Sequence, residues 1–289
     1  MSRSASSRAN RRGEPPPSPE PLPSPAVDSH THFDIAVGGE DREPTDAEVD
    51  EAITAAVAVG VPRLVQVGVD VASSRWSAAL AARHPNVLAA VALHPNEAGA
   101  GAATEAALAE IDRLAALPRV RAVGETGLDR YRTGPEGWAA QEASFRAHID
   151  IAKRHGIALV IHDRDAHDEV LRVLDDEGAP EHTVFHCFSG DAGFARACIE
   201  RGHTLSFAGT VTFSSAGALR EAAALTPLDQ LLVETDAPFL TPVPLRGRPN
   251  SARLVPHTVR ALAEVTGTDL DQLCGVLTAT AERVFGPWG

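Results

Sequence analysis

Apolar and polar residues follow a repeating order along this chain, in which short apolar runs alternate with longer mixed segments. Runs such as Ile157-Ala158-Leu159-Val160-Ile161 contain no polar residue, which is typical of parallel strands buried on both faces. Eight strands are predicted in this way, at about residues 27–32, 62–68, 87–93, 120–125, 157–162, 182–187, 203–208 and 230–235.

The segments between the strands are rich in Ala and Leu and have the length of helices. They predict helices at 45–59, 73–83, 103–116, 138–155, 166–177, 191–201 and 214–225, with two more at 252–265 and 269–285. Strands that alternate with helices imply a parallel sheet. Eight such units imply an α/β fold with one domain, a (β/α)₈ TIM barrel.

The first 26 residues differ in composition from the rest. Residues 1–26 contain four Arg, two Glu and seven Pro, with few apolar side chains. A segment that buries so little cannot recover its ordering entropy, so we predict a disordered tail over 1–26. The predicted TIM-barrel domain is then 27–289, close to the roughly 250 residues typical of this fold.

Charge narrows the set of partners. The chain carries a formal charge of −13, and subtracting the tail's +2 leaves −15 for residues 27–289. This surface opposes nonspecific attraction to a nucleic-acid backbone. It does not exclude a phosphate substrate, because bound metals and a few arginines can reverse the sign inside a cleft.

The length of the apolar runs and the spacing of the cysteines predict the cellular location of the protein. No apolar run approaches the ~20 residues that span a bilayer. The three cysteines form no paired-spacing motif, which indicates reduced thiols. We therefore expect a soluble, cytoplasmic protein with no membrane partner.

Six side chains that can bind metal stand where predicted strands end. They are His30, His32, Glu125, His162, His186 and Asp236. The carboxyl ends of barrel strands meet at one mouth, where the active sites of this fold lie. Four imidazoles and two carboxylates around one mouth suit one or two divalent ions better than a packed core. The set predicts a metal-dependent hydrolase.

The first pair of histidines and Glu125 have distinct predicted roles. His30 and His32 are two residues apart on a strand, so both side chains face the mouth. Asp28 lies on the same face, one step deeper, where it is suited to orient a ligand. Glu125 stands between two nearby glycines, which permit a close approach of the backbone. A carboxylate placed there is suited to bridge two ions about 3.5–4 Å apart.

The other three residues complete the predicted site. His162 and His186 end consecutive strands, and Asp236 ends the eighth. Asp236 is suited both to bind metal and to accept a proton from the attacking water, so it is the predicted catalytic base beside Glu125. A single histidine in a strand is often a hydrogen-bonded core residue, and a single glutamate is often solvated. The prediction rests on the set.

Two further residues are predicted to contact substrate. His94 ends the third strand and faces the mouth. Arg164 follows His162 by two residues, and its planar guanidinium matches a phosphate group. The alternative for Arg164 is an ordinary surface arginine.

The remaining histidines and cysteines receive ordinary interpretations. Histidines on or near predicted helices, including His148 and His203, are expected at the surface. Cys187 follows His186 directly, so on a strand it is expected to point away from that ligand, as a small buried hydrophobic residue.

Five segments together resemble the TatD family of metal-dependent deoxyribonucleases, part of the amidohydrolase-like barrel group. They are Asp28-Ser29-His30-Thr31-His32, Gly124-Glu125-Thr126-Gly127-Leu128-Asp129, Ile161-His162-Asp163-Arg164-Asp165-Ala166, His186-Cys187-Phe188-Ser189-Gly190 and Glu234-Thr235-Asp236-Ala237-Pro238. Each motif is modest alone. In the family's order across the whole domain, the set is highly specific.

The resemblance implies a site for two divalent ions. In it, His30, His32 and Asp236 would hold one ion, His162 and His186 would hold the other, and Glu125 would bridge them. It further implies Mg²⁺-, Mn²⁺- or Zn²⁺-supported cleavage of DNA, with Asp236 as general base. Single-stranded DNA or DNA ends are the expected partner.

Departures from the family pattern lie at the rim. Thr126 stands where an apolar residue is usual, Arg130 stands where an aromatic residue is usual, and Arg248-Pro249-Asn250-Ser251-Ala252 lacks the usual Glu. Two alternatives therefore stay open. One is a small-molecule amide or ester hydrolase, or an aminoacyl-tRNA deacylase, on the same barrel. The other is a non-catalytic metal-binding interaction protein.

Overall fold

The computed structural model describes residues 14–39 and 42–288. Its eight strands are β1 (Val27–Thr31), β2 (Arg63–Val67), β3 (Val87–Val91), β4 (Val120–Asp129), β5 (Ala158–Arg164), β6 (Thr183–Phe185), β7 (Thr204–Phe207) and β8 (Leu231–Val233). Each of the eight predicted strands is present. The largest difference is β4, which runs past Glu125 to Asp129.

The strands form one parallel sheet in sequence order, from β1 to β8. A parallel bridge between Thr31 and Ala237 joins the end of β1 to the segment after β8, which nearly closes the sheet. Helices lie between the strands. The (β/α)₈ TIM barrel predicted from the alternation is confirmed.

The helices account for the mixed segments. They are α1 (Phe33–Gly38), α2 (Asp46–Val57), α3 (Val71–Arg83), α4 (Pro95–Gly99), α5 (Glu105–Ala115), α6 (Pro135–His155), α7 (His167–Glu177), α8 (Ala192–Glu200), α9 (Gly217–Leu225), α10 (Val255–Thr266) and α11 (Leu270–Phe285). The short helices α1 and α4 were not predicted, because five or six residues carry too little periodicity to recognise.

Apolar side chains pack on both faces of the strands, outside the barrel against the helices and inside it. Inside the barrel, Val65, Leu88 and Val160 belong to a cluster that also contains Phe285 and Trp288 from the C-terminal segment. Trp288 lies near the start of β2, since its indole N–H donates to the Leu64 carbonyl over 3.4 Å. The C-terminal segment therefore packs at the amino ends of the strands, and the opposite end is left for the site.

The prediction of disorder through Ala26 is wrong for the second half of that segment. Residues 1–13 lie outside the described residues. From residue 14 onward the chain runs against the domain: Leu22 is buried, and its N–H donates to the Val59 carbonyl over 3.1 Å. Arg260 donates to the carbonyl of Glu20 over 3.0 Å. The composition does not predict this packing, because one buried leucine and a few hydrogen bonds suffice to hold a proline-rich segment against the domain.

No helix among the described residues is long and apolar enough to cross a membrane.

Candidate metal centre

His30 and His32 stand at the end of β1 and are both buried. Their Nε2 atoms are 3.3 Å apart, as expected from side chains two residues apart on one face. The His32 Nδ1–H donates to the Val67 carbonyl over 3.0 Å, because a carbonyl can only accept. The other ring nitrogen, Nε2, therefore faces the mouth, beside Glu125 and Asp236.

Glu125 occupies the centre of the cluster. Its Oε1 lies 3.8 Å from His30 Nε2 and 3.6 Å from His32 Nε2. Its Oε2 lies 3.3 Å from His162 Nδ1 and 2.8 Å from His186 Nε2. Each oxygen thus faces a different pair of imidazoles, which is the arrangement that a bridging carboxylate needs.

The glycines beside Glu125 are required by packing. A Cβ on Gly124 would lie 2.5 Å from the Val160 Cβ of the neighbouring strand. Gly127 has a φ of 136°, and a Cβ there would collide with the His162 carbonyl. The close approach predicted from these glycines is present, and it brings β4 and β5 together where Glu125 meets His162.

His162 and His186 are each oriented by a second carboxylate. His162 Nε2 lies 3.2 Å from an Asp129 oxygen, and His186 Nδ1 lies 3.1 Å from a Glu234 oxygen. A carboxylate that accepts one ring N–H fixes the tautomer and leaves the other nitrogen for a metal. In both rings that other nitrogen faces Glu125.

Asp236 lies beyond the end of β8, with a φ of 51°. Its N–H donates to the His30 carbonyl over 2.9 Å, which ties it to β1. Its Oδ1 is 3.5 Å from His32 Nε2 and 3.9 Å from His30 Nε2. Asp236 is 14% exposed and Glu125 is 6% exposed, so Asp236 is the more accessible carboxylate.

Burial and the carboxylates set the charges of the cluster. Burial lowers the pKa of His32, but Asp236 and Glu125 outweigh it and raise that pKa to about 9. Burial opposes ionisation of Glu125 as well, yet the surrounding imidazoles hold its pKa well below the usual range. Burial and the neighbouring His186 lower the pKa of His30 to about 4.

The residues present fit divalent metal. The nitrogen–oxygen and nitrogen–nitrogen distances around His30, His32, Glu125 and Asp236 are 3.3–3.9 Å. Ligands about 2.0–2.2 Å from one tetrahedral ion are separated by a little over 3 Å, so these atoms can share an ion after small movements. Among the described residues, three overlapping groups bring potential ligand atoms within 4.8 Å of one another: His30 with His186 and Asp236, His30 with His32 and Glu125, and His94 with Glu125 and His162.

His94 faces the mouth but offers a donor. It caps α4, and its Nδ1 accepts the Asn96 N–H over 3.1 Å. Burial lowers its pKa to about 3, so the ring is neutral and its proton is on Nε2. That Nε2 lies 3.7 Å from Glu125 Oε2. A protonated nitrogen cannot bind metal, so this histidine is suited to donate to a substrate oxygen.

Arg164 is the last residue of β5, and its guanidinium carbon lies 4.0 Å from the centre of the Tyr131 ring. No carboxylate contacts it within the described part of the chain. Arg130, by contrast, is occupied: it forms a two-point contact with Glu169 at 2.8 and 3.0 Å and lies over Trp138. The rim position where the family usually has an aromatic residue therefore carries a structural ion pair.

Two expectations about neighbouring residues, Cys187 and Asp28, are corrected. Cys187 has a φ of 45° and lies beyond the end of β6, so the strand alternation from which its direction was predicted does not apply. Burial and the charges of Asp236 and Glu234 raise the pKa of this thiol. Asp28 touches no imidazole; it accepts from the backbone N–H of His30 at 3.3 Å and of Thr235 at 2.9 Å, and so positions β1 and the segment after β8.

Two of the histidines assigned to the surface are buried. His148 on α6 accepts the Leu93 N–H over 3.1 Å, and His203 lies at the start of β7. Asp129 and Glu234 were given no role from the sequence. The available signal was a carboxylate at a strand end close in sequence to a predicted ligand.

Comparisons with known proteins identify the relatives of this chain. The model of the family "TatD related DNase" matches residues 27–286. A Mycobacterium tuberculosis protein named "Uncharacterized metal-dependent hydrolase TatD" is 48% identical over 264 residues, covering 90% of this chain and 97% of its own.

A relative whose name specifies an activity is also similar to this chain. The "3'-5' ssDNA/RNA exonuclease TatD" of Citrobacter rodentium is 37% identical over 248 residues, which cover 82% of this chain and 91% of its own. Among solved structures, the TatD homologue YJJV of Escherichia coli K12 superposes with a TM-score of 0.82 at 25% identity, over 90% of this chain and 97% of that one.

Proposed function

The chain belongs to the TatD-related DNase family of metal-dependent hydrolases, and from this premise we propose that it cleaves phosphodiester bonds of single-stranded DNA from an end. One observation carries the proposal: the two oxygens of Glu125 face two different sets of imidazoles. Two divalent ions about 3.5–4 Å apart are the usual catalyst of such displacements.

We assign one ion to His30, His32 and Asp236, and the other to His162 and His186, with Glu125 between them. Two of the overlapping three-residue groups include His30; the assignment pairs it with His32 because both extend from the same face of β1. Mg²⁺, Mn²⁺ and Zn²⁺ are the candidate ions.

Side chains of the protein then carry out the proton transfer and bind the phosphate group. Divalent ions, when bound, supply Lewis acidity toward phosphoryl oxygens and lower the pKa of a water molecule toward about 7. Asp236, the more exposed of the two central carboxylates, takes the proton from that water. His94 Nε2 donates to a phosphate oxygen, and Arg164 offsets phosphate charge at the end of β5.

The choice of substrate is supported by the exonuclease named in C. rodentium and by the uncompensated Arg164. The free cysteines Cys187, Cys198 and Cys274 support a reducing, cytoplasmic setting.

The test is cleavage of end-labelled single-stranded DNA with Mg²⁺ or Mn²⁺, compared with EDTA and with Asp236→Asn. We expect a ladder from one end that requires both metal and Asp236. The matched control is Asp165→Asn, because Asp165 also has a positive φ, of 56°, and is exposed next to the mouth. It removes the same charge without altering the cluster, so the ladder should persist.

The opposite result has a specific meaning. Protein that carries stoichiometric metal and leaves DNA intact would contradict the nuclease proposal. The substrate would then be a small molecule or a charged tRNA.

A further inference from the structure

About half of the arginines that the structure describes form ion pairs with carboxylates. Arg146, for example, contacts Glu142, Asp176 and Glu177 at 2.5–3.0 Å. Several guanidinium groups lie at the ends of β4, β5 and β8 or on the loops that follow them. In the described ranges, four of them have no carboxylate partner: Arg132, Arg164, Arg246 and Arg248. All four lie at the carboxyl ends of the strands, on the same side as the metal centre.

Two of these arginines lie over aromatic rings. The Arg164 guanidinium is 4.0 Å from the centre of the Tyr131 ring. Tyr131 is 66% exposed, the highest value among the large apolar side chains that the structure describes. An exposed tyrosine with a cation on one face leaves its other face available to a flat ligand.

The second pair lies across the mouth on the loops after β7 and β8. The Arg246 guanidinium is 4.0 Å from the centre of the partly exposed Phe213 ring. These loops are joined, since the Val243 N–H donates to Thr212 Oγ1 over 2.8 Å. Arg220 donates to the Phe213 carbonyl over 2.7 Å and so anchors the backbone that carries the ring. Val243 is 41% exposed and extends the apolar surface.

We propose that the Tyr131–Arg164 pair and the Phe213–Arg246 pair are two base-stacking sites that hold an unpaired polynucleotide strand across the metal centre. The inference rests on the proposed nuclease function and deepens it. Aromatic rings and guanidinium planes stack on bases of any sequence, and the guanidinium groups also neutralise the backbone.

The same features select single strands. The bases of a duplex are stacked on each other and are not available to a side-chain ring. The net charge of −15 on residues 27–289 opposes nonspecific attraction of the backbone, and the four arginines near the metal centre offset that charge locally. Stacking therefore has to contribute much of the binding, and only an unpaired strand offers it.

The test is binding of a fluorescent phosphorothioate oligothymidylate, which resists cleavage, to the Mn²⁺-loaded protein by anisotropy. We expect Tyr131→Leu and Phe213→Leu each to raise Kd about tenfold. Tyr131→Phe keeps the ring and should bind as the parent does. An oligomer with the same backbone but abasic sugars should bind the parent and Tyr131→Leu equally, because no base remains to stack.

Cleavage of end-labelled single-stranded DNA by the parent, measured beside binding, separates this inference from the proposed function. Both leucine variants should keep the metal content of the parent, because neither substitution changes a residue of the metal centre. A parent that binds the oligomer with these differences but leaves DNA uncleaved would retain the stacking sites and reject the nuclease. Unchanged Kd in both leucine variants, equal losses with the abasic oligomer, or no binding by the parent would overturn the stacking sites.

Discussion

Buried histidines lie in two places in this protein. Some lie in the mouth of the barrel, and others, such as His148 on α6, lie among the packed strands and helices around it, which we call the wall. In the mouth, His32 lies beside Asp236 and Glu125, and its pKa rises to about 9 although burial lowers it. In the wall, His148 is equally buried, but its partners among the described residues are uncharged: the Ser144 carbonyl at 2.6 Å, the Ser144 hydroxyl at 3.3 Å and the Leu93 N–H. Burial lowers the pKa of His148 to about 4.

The difference shows that neighbours, and not burial, decide what a buried histidine can do. Burial without an anion keeps an imidazole neutral and structural. Anions placed within 4 Å hold a proton in the metal-free protein, and a divalent ion takes the place of that proton. His30 lies between the two cases: its pKa falls to about 4, and its Nδ1 has no partner among the described residues.

The largest effect should follow from removing the anion at the centre of the mouth. Glu125→Gln keeps the shape of the side chain but leaves the imidazole pairs without a shared charge. We expect metal content after dialysis and the rate of DNA cleavage both to fall more than about a hundredfold, beyond the effect of losing an outer partner. Elemental analysis and the end-labelled assay measure the two quantities.

The matched variant for this comparison is His148→Gln, which alters a wall histidine. It should retain the metal content of the parent. A Glu125→Gln protein that holds stoichiometric metal and cleaves at the parent rate would show that the central carboxylate is dispensable.

The sequence predicted the fold and the residues that converge, because both depend on local periodicity and on strand ends. His30, Glu125 and Asp236 lie together since the carboxyl ends of barrel strands meet. The distinction between mouth and wall was only partly predictable. His148 was assigned to the surface because its helix periodicity gives no sign of the Leu93 N–H that it accepts.

Contacts distant in sequence explain the other misses. Glu234 orients His186, 48 residues away, and this pairing exists only once β6 and β8 are in place. The left-handed backbone at Cys187 removes the strand alternation on which its expected direction rested, and cysteine is not a residue type that marks such a position. Leu22 was overlooked because a single apolar residue in a proline-rich segment predicts no packing.

A second, smaller effect should follow from changing the carboxylates behind the ligands. Asp129→Asn and Glu234→Gln leave the ligands in place but remove the anions that orient His162 and His186. We expect metal affinity to fall about 10- to 100-fold in each, measured by competition with a chromophoric chelator.

Asp163→Asn is the control for this pair. Asp163 is on the same strand as His162, but its carboxylate contacts His167 at 2.7 Å, outside the cluster. Its loss should leave metal affinity unchanged. Equal losses in Asp129→Asn and Asp163→Asn would mean that general charge, and not orientation of the ligands, governs the affinity.

The smallest expected effect concerns the wall histidine His148. It is a loss of folding stability at acid pH. The pKa of His148 is about 4 in the folded protein, below its ordinary value of 6.5. Between these values the unfolded chain binds a proton that the folded protein does not, so stability falls as the pH drops from 7 toward 4. The share of His148 between pH 7 and pH 5 is about 2 kcal/mol.

His148→Gln removes this titration while its side-chain oxygen can still accept the Leu93 N–H. Urea unfolding at pH 7 and pH 5 should therefore show a smaller loss of stability in the variant than in the parent. Ser144→Ala removes a hydroxyl that contacts His148 Nδ1 but keeps the imidazole. This variant should therefore retain the full pH dependence. If His148→Gln lost as much stability as the parent, the acid sensitivity would arise in the mouth, and wall and mouth histidines would not differ in the way described.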